Sequence, residues 1–242
     1  MMDIFLLFFL AHLAGDFVLQ TNKIAALKMS STKGLIIHTL LVSAAAMALL
    51  SILGANGIAI GFISGVFHFA IDYLKTKLQK KIYIKGLIYF LLDQALHLIV
   101  IALLVKVFLS IYANYSLESS WFITWIGIAA DDFIAGVRLI ILLILITYVS
   151  TIFVKMILRD FYPDVRKSAF FFKWERLIDA FIGILIFVCI YFLNIYAAIP
   201  FILLYFLYSR IQMKLFKYLN KIAPIKYVTI IFVNALLYLV FF

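Results

Sequence analysis

The sequence predicts an all-α, polytopic transmembrane helical bundle of about eight spans, with both termini on the outer side. Three observations carry that expectation. Of the 242 residues 67% are apolar and only 13% are charged, with a mean hydropathy of +1.19. Soluble domains are about 45–50% apolar and about 25% charged. The apolar residues also gather into runs near the roughly 20 residues that cross a bilayer. Finally, all but Lys106 and Arg138 of the 21 Lys and Arg residues fall in alternate loops, which the positive-inside rule places in the cytoplasm. Little chain remains for a soluble domain.

The runs are about 3–21, 34–53, 57–75, 85–109, 133–154, 176–194, 196–211 and 225–242. The first carries Asp3 and no basic n-region, and it continues through His12 and Asp16 without a small-residue cleavage pattern. It reads as a span and not as a removable signal. Basic loops follow spans one (Lys23, Lys28, Lys33), three (Lys75, Lys77, Lys80, Lys81, Lys85), five (from Lys155 to Arg176) and seven (from Arg210 to Lys226). Between spans four and five, Ser116 to Asp132 contains Trp121 and Trp125, a composition suited to the membrane interface. Asp131, Asp132 and Arg138 read there as an interfacial charge cluster. The chain thus divides into a four-span bundle at 1–109, a periplasmic or interfacial connection at 110–132, and a second four-span bundle at 133–242. The net charge of +10 reports orientation and not nucleic-acid binding. Cys189 is alone, which excludes an intramolecular disulfide and leaves a packing role.

All four histidines lie inside apolar runs, and three have an aspartate four residues away: His12/Asp16, His68/Asp72 and Asp93/His97. Residues four apart share a helix face, so each pair presents an imidazole and a carboxylate in one direction. At about 1.5 Å rise per residue, these pairs and His38 fall in one depth band on the cytoplasmic side of spans one to four. Charged groups in a span cost at least about 2.5–3.5 kcal/mol each and normally face a partner. Three carboxylates without a compensating cation are hard to hold there, and a divalent metal is the simplest answer. The ligand candidates are His12, Asp16, His38, His68, Asp72, Asp93 and His97. Their N/O chemistry suits one or two ions of zinc, manganese or iron, and the absence of thiolates argues against a closed structural zinc site.

A metal in such a site would polarise a substrate oxygen and activate water, with Asp16 as bridging ligand or general base and Asp72 able to exchange roles with it. Gln20 and Gln94 could hold a ligand or a carboxylate. Lys23, Lys28 and Lys75 lie at the mouth, where they could attract a phosphate or simply serve as positive-inside charges. Other readings use the same residues: interhelical hydrogen-bond glue, or a metal- or proton-coupled transporter. No His-Glu-x-x-His, phosphate-binding glycine loop or nucleophile elbow is present, which sets aside zincins, P-loop enzymes and serine hydrolases of the α/β type.

The stretch from Ala11-His12 through Gly15-Asp16 to Gln20, followed by Lys28, His38, His68-x-x-x-Asp72-x-x-Lys75 and Asp93-Gln94-x-x-His97, resembles a bacterial membrane-protein family, domain of unknown function 3307. The resemblance covers roughly residues 5–100. In the second half Glu175-Arg176-Leu177 alone is similar to that family's pattern. The motif style is also similar to membrane-bound metal-dependent hydrolases. Together these likenesses imply a multi-pass protein of the bacterial inner (cytoplasmic) membrane. They also imply a hydrolase acting on a lipid, lipid-linked or phosphate-bearing substrate held at the bilayer.

Overall fold

The computed structural model describes residues 1–81, 85–112 and 115–149, with isolated helical positions at 152–153, 156–157, 160, 181, 184–185 and 188. Apart from those positions, expected spans six to eight lie outside the described residues, as do Glu175, Arg176 and Cys189. All regular structure among the described residues is helical. The chain separates into two compact units, Met1–Ile141 and Leu142–Phe242.

The first unit opens with α1, Met2–Leu13, which runs into a π-helical turn at Ala14–Val18. There Leu19 N–H reaches back five residues to Ala14 C=O at 2.9 Å. Helix therefore runs unbroken over Met2–Val18, most of the stretch expected as span one. After the π-turn the chain bends by 89° into a separate helix, α2, Asn22–Ser30. The reason is local: Gln20 and Thr21 interrupt the apolar run, and Thr21 caps α2 by accepting a hydrogen bond from Ile24 N–H at 3.3 Å. A second cap follows directly. Ser31 accepts from Gly34 N–H at 3.0 Å and starts α3, Thr32–Leu50. Such caps satisfy amides that a helix start leaves unpaired.

Beyond α3 come a 3₁₀ turn at Ser51–Leu53, the positive-φ Gly54, and α4, Ala55–Lys81. Helix α4 lies closely on α3 because Gly57, Gly61 and Gly65 recur every fourth residue. A Cβ at Gly61 would sit 2.8–2.9 Å from the backbone of Ala46 and Met47, and one at Gly65 would strike the Ser43 side chain. Small residues at this spacing let membrane helices approach. Helix α5, Gly86–Ile111, packs on α4 and α1, while α1 and α2 both pack on α3. The aromatic connection is partly helical, with a 3₁₀ turn at Leu117–Ser119 and the short α6, Trp121–Ile126. Trp121 Nε1–H donates to Ser51 C=O at 2.8 Å, and Ser120 Oγ–H donates to Ile52 C=O. Helix α7, Ala130–Ile144, follows and ends in a π-helical turn at Leu145–Val149. The second unit begins within α7 at Leu142, which is buried, as is Ile146 in the π-helical turn.

The exposure pattern is that of a membrane protein. On α5, Leu91, Leu92, Leu96, Ile99 and Leu103 are exposed while Asp93 and His97 are buried. In water this would leave a large apolar surface open and charge inside, whereas lipid favours it. Four stretches, Thr32–Leu53, Ala55–Gln79, Gly86–Ile111 and Ala130–Val149, are long and apolar enough to cross a bilayer. The bent α1–α2 pair makes a fifth if it counts as one span.

Candidate metal centre

Four helices of the first unit bring the histidines and aspartates together. The π-turn after α1 widens the helix at Gly15 and Asp16, and Gly15 lets that turn sit against Val42 of α3, with a Cβ only 3.0 Å from Val42 Cα. His38 faces inward from the start of α3, His68 and Asp72 from α4, and Asp93 and His97 from α5. All seven candidate ligands are buried, with Asp72 and His38 at 0% exposure.

The tightest group surrounds His68. Its Nε2 lies 3.1 Å from His38 Nε2, 3.2 Å from Asp16 Oδ1 and 3.2 Å from Asp72 Oδ2. His38 Nε2 is in turn 3.1 Å from Asp16 Oδ1 and 3.3 Å from Asp72 Oδ2. Donor atoms bound tetrahedrally at about 2.0–2.1 Å lie about 3.3 Å apart, so each of these triangles has the size of one face around a single ion. A second group is built from His12, Asp16, His68 and His97, whose ligand atoms lie within 4.8 Å of one another, as do those of Asp72, Asp93 and His97. The four rings pack face to face or tilted, with His12–His97 centroids at 4.8 Å and His68–His97 at 4.3 Å.

Several contacts orient these groups as a ligand shell requires. His97 Nδ1–H donates to the Asp93 backbone C=O at 2.8 Å. A carbonyl only accepts, so this bond fixes the tautomer and leaves Nε2 as a lone pair. That Nε2 is buried with no hydrogen-bond partner among the described residues. Asp72 Oδ1 and Asp93 Oδ1 are likewise buried and unpartnered. Gln94 bridges two helices, with its Oε1 3.2 Å from His12 Nε2 and its amide nitrogen donating to Asp93 Oδ2 at 3.1 Å. Between His12, His68, His97 and Ser64 lies a cavity of about 10 Å³, about the space of one water. Buried His/Asp clusters that could hold a metal ion are therefore present in a helical membrane protein.

The expectation that the three carboxylates lack a compensating cation in the protein is corrected. The carboxylates do have cationic partners. Lys28 Nζ reaches Asp72 Oδ2 at 2.6 Å and His38 Nε2 at 3.1 Å, and Lys28 is only 8% exposed. Lys75 Nζ reaches Asp93 Oδ2 at 2.6 Å. The expectation of a loop after span one concealed Lys28, because the 89° bend lays α2 across the cluster. The cap signals Thr21 and Ser31, nine residues of helix apart, could have revealed a short helix and hence an inward lysine. Of the other expected site residues, Gln94 and Lys75 join the cluster as described. Gln20 Oε1 is buried and unpartnered among the described residues, and Lys23 is exposed on α2.

Comparison with curated proteins and with solved structures finds no match, so the likeness to metal-dependent hydrolases has no named relative behind it. A family model does match, over residues 4–129, a segment that encloses every residue of the cluster and makes up just over half of the chain. By that match the chain belongs to the family described as Protein of unknown function (DUF3307).

Proposed function

We propose that this protein is a metal-dependent hydrolase of the bacterial inner membrane, acting on a lipid or membrane-associated substrate. One observation carries the reading: His38 and His68 lie 3.1 Å apart and each approaches both Asp16 and Asp72 at 3.1–3.3 Å, the spacing of atoms that share an ion. His12, Asp93 and His97 complete the ligand set, for one or two ions of zinc, manganese or iron. A divalent ion bound there would polarise a substrate oxygen and lower the pKa of a bound water. Asp16 suits the part of bridging ligand or general base, since Oδ1 faces His38 and His68 while Oδ2 lies 3.9 Å from His12. Asp72 is its alternate. Gln94 and Lys75 position Asp93, and Lys23 and Gln20 remain for contact with substrate. In this reading eight spans keep both termini outside and turn α2 toward the cytoplasm.

A second reading, a metal- or proton-coupled transporter, draws on the Lys28–Asp72 and Lys75–Asp93 pairs, which let the polar core persist with or without an ion. Against it, the buried polar side chains beyond the cluster are Thr39, Ser43 and Ser120 among the described residues. They offer no titratable path onward, and a carrier needs access from both sides.

Elemental mass spectrometry on purified protein, beside a His68→Ala/Asp93→Ala variant, tests the proposal. One or two transition-metal equivalents, lost from a variant that stays folded, are expected, together with hydrolysis of phosphoesters or lipid-linked esters that follows the metal. Protein that takes up no zinc, manganese or iron on reconstitution would refute the hydrolase reading and leave the transporter.

A further inference from the structure

Lys28 has a second neighbour besides the cluster. It forms part of the wall of a pocket of about 240 Å³ between the α2–α3 turn and α4, together with Ser30, Ser31, Thr32, Thr76 and Lys77. Among the described residues, no acidic side chain lines this pocket and two lysines do. Lys77 is exposed, with its Nζ 5.3 Å from the centre of the Tyr73 ring. Lys28 is buried and holds Asp72. The Ser30 and Ser31 hydroxyls donate to Leu27 C=O and the Thr76 hydroxyl donates to Tyr73 C=O, so the recognition rests on the two lysines: their surplus of positive charge suits a phosphoryl group, whose oxygens accept charge-assisted hydrogen bonds.

Placement narrows the ligand further. Helix α2 turns 89° away from α1 and exposes Leu27 and Met29. The pocket beside it, lined also by Met29 and Leu35, sets apolar side chains next to its lysines and shares Lys28 with the His/Asp cluster. We infer that this pocket is a phosphoryl-binding subsite, which places the phosphate of an anionic amphiphile beside the His/Asp centre. As a substrate subsite it rests on the hydrolase reading; as a phosphate site it stands alone. Lys28 is the link between the two, because an anion in the pocket competes with Asp72 for its ammonium.

The test uses full-length protein stripped of metal with chelator, so that phosphate cannot bind through an ion. Sodium phosphate is titrated calorimetrically, and retention of phosphatidic acid is compared with that of phosphatidylcholine in mixed micelles. Lys77→Gln should weaken binding about tenfold or more. Lys77 lies outside the buried cluster, so folding is not at risk as it is for Lys28. Binding of phosphatidic acid alone identifies a lipid headgroup as the source, and binding of both probes identifies the phosphoryl group itself. Failure of both probes to bind, or equal binding by Lys77→Gln, overturns the inference. Metal content measured on unstripped samples separates the two ideas. Phosphate binding without any metal uptake sinks the hydrolase reading alone, and metal uptake without phosphate binding sinks the subsite alone.

Discussion

Replacing Lys28 by Met tests how the buried charge is held. Methionine keeps most of the apolar stem and removes the ammonium, so Asp72, at 0% exposure, loses its 2.6 Å partner. At an effective dielectric near 20, two unit charges at that distance attract by about 6 kcal/mol, much of which offsets the desolvation of both groups. Removing one partner of a buried pair costs about 3–5 kcal/mol, because the remaining charge is left uncompensated. For a chain of this size about 1 kcal/mol moves the melting midpoint by about 2–4 °C. The metal-free variant should therefore melt about 6–20 °C below the native protein. A divalent ion seated on His38, His68 and Asp72 supplies the missing positive charge, so zinc or manganese should stabilise Lys28→Met more than the native protein. Ion at a hundredfold excess over its Kd contributes about 2.7 kcal/mol, so at one fixed ion concentration the tighter-binding variant gains more. The assay is thermal unfolding in detergent, with chelator and with added metal. In a double-mutant cycle, Asp72→Asn should cost less in the Lys28→Met background than in the native one. A metal-free variant melting within about 2 °C of the native protein would refute the claim that Lys28 compensates Asp72.

Gly65→Val should lower the melting midpoint and reduce metal content together. The new side chain meets Ser43 on α3, overpacking costs about 1–3 kcal/mol, and parting α3 from α4 separates His38 from His68. Thermal unfolding and elemental analysis read both effects, and normal metal content in a strongly destabilised variant would contradict the coupling. Trp121→Phe removes the indole bond to Ser51 C=O and should cost about 0.5–1.5 kcal/mol while leaving bound metal unchanged; loss of metal would show that α6 supports the centre.

The membrane character and the cluster were legible because each rests on a signal with a fixed period. Apolar runs of span length give helices α3, α4, α5 and α7, and the i,i+4 rule brings His68 and Asp72 onto one face of α4. The same rule is less complete elsewhere. His97 is tied to the backbone carbonyl of Asp93, with its carboxylate 3.8 Å away. Asp16 lies 3.9 Å from His12 but only 3.1 Å from His38, because a π-turn rotates it away from ideal helical register. The π-turn, the 89° bend and the inward Lys28 have no periodic signature. They depend on Gly15 meeting Val42 and on two short caps, features whose consequence is set by tertiary packing. The glycine repeat on α4 was readable from spacing alone, and it is the device that draws His38 and His68 into contact.

Charge bears on how many ions the centre can hold. Asp16, Asp72 and Asp93 contribute three negative charges, and Lys28 and Lys75 return two positive ones. With the imidazoles neutral, as metal ligands must be, the metal-free cluster carries one net negative charge. A single divalent ion inverts this to one positive charge. A second would raise it to three positive charges inside a shell whose outer face is leucine and isoleucine, where each uncompensated charge costs at least about 2.5–3.5 kcal/mol. The lysine pairs therefore favour one ion over two unless Lys28 or Lys75 is drawn away. The remaining positive charge is what an anionic ligand would neutralise, and the lysine-lined pocket against α4 lies where such a ligand would engage Lys28. With an ion and a phosphoryl ligand both bound, carboxylates, lysines and phosphate would form one balanced arrangement, in which the ammonium that pairs with Asp72 would turn to the ligand.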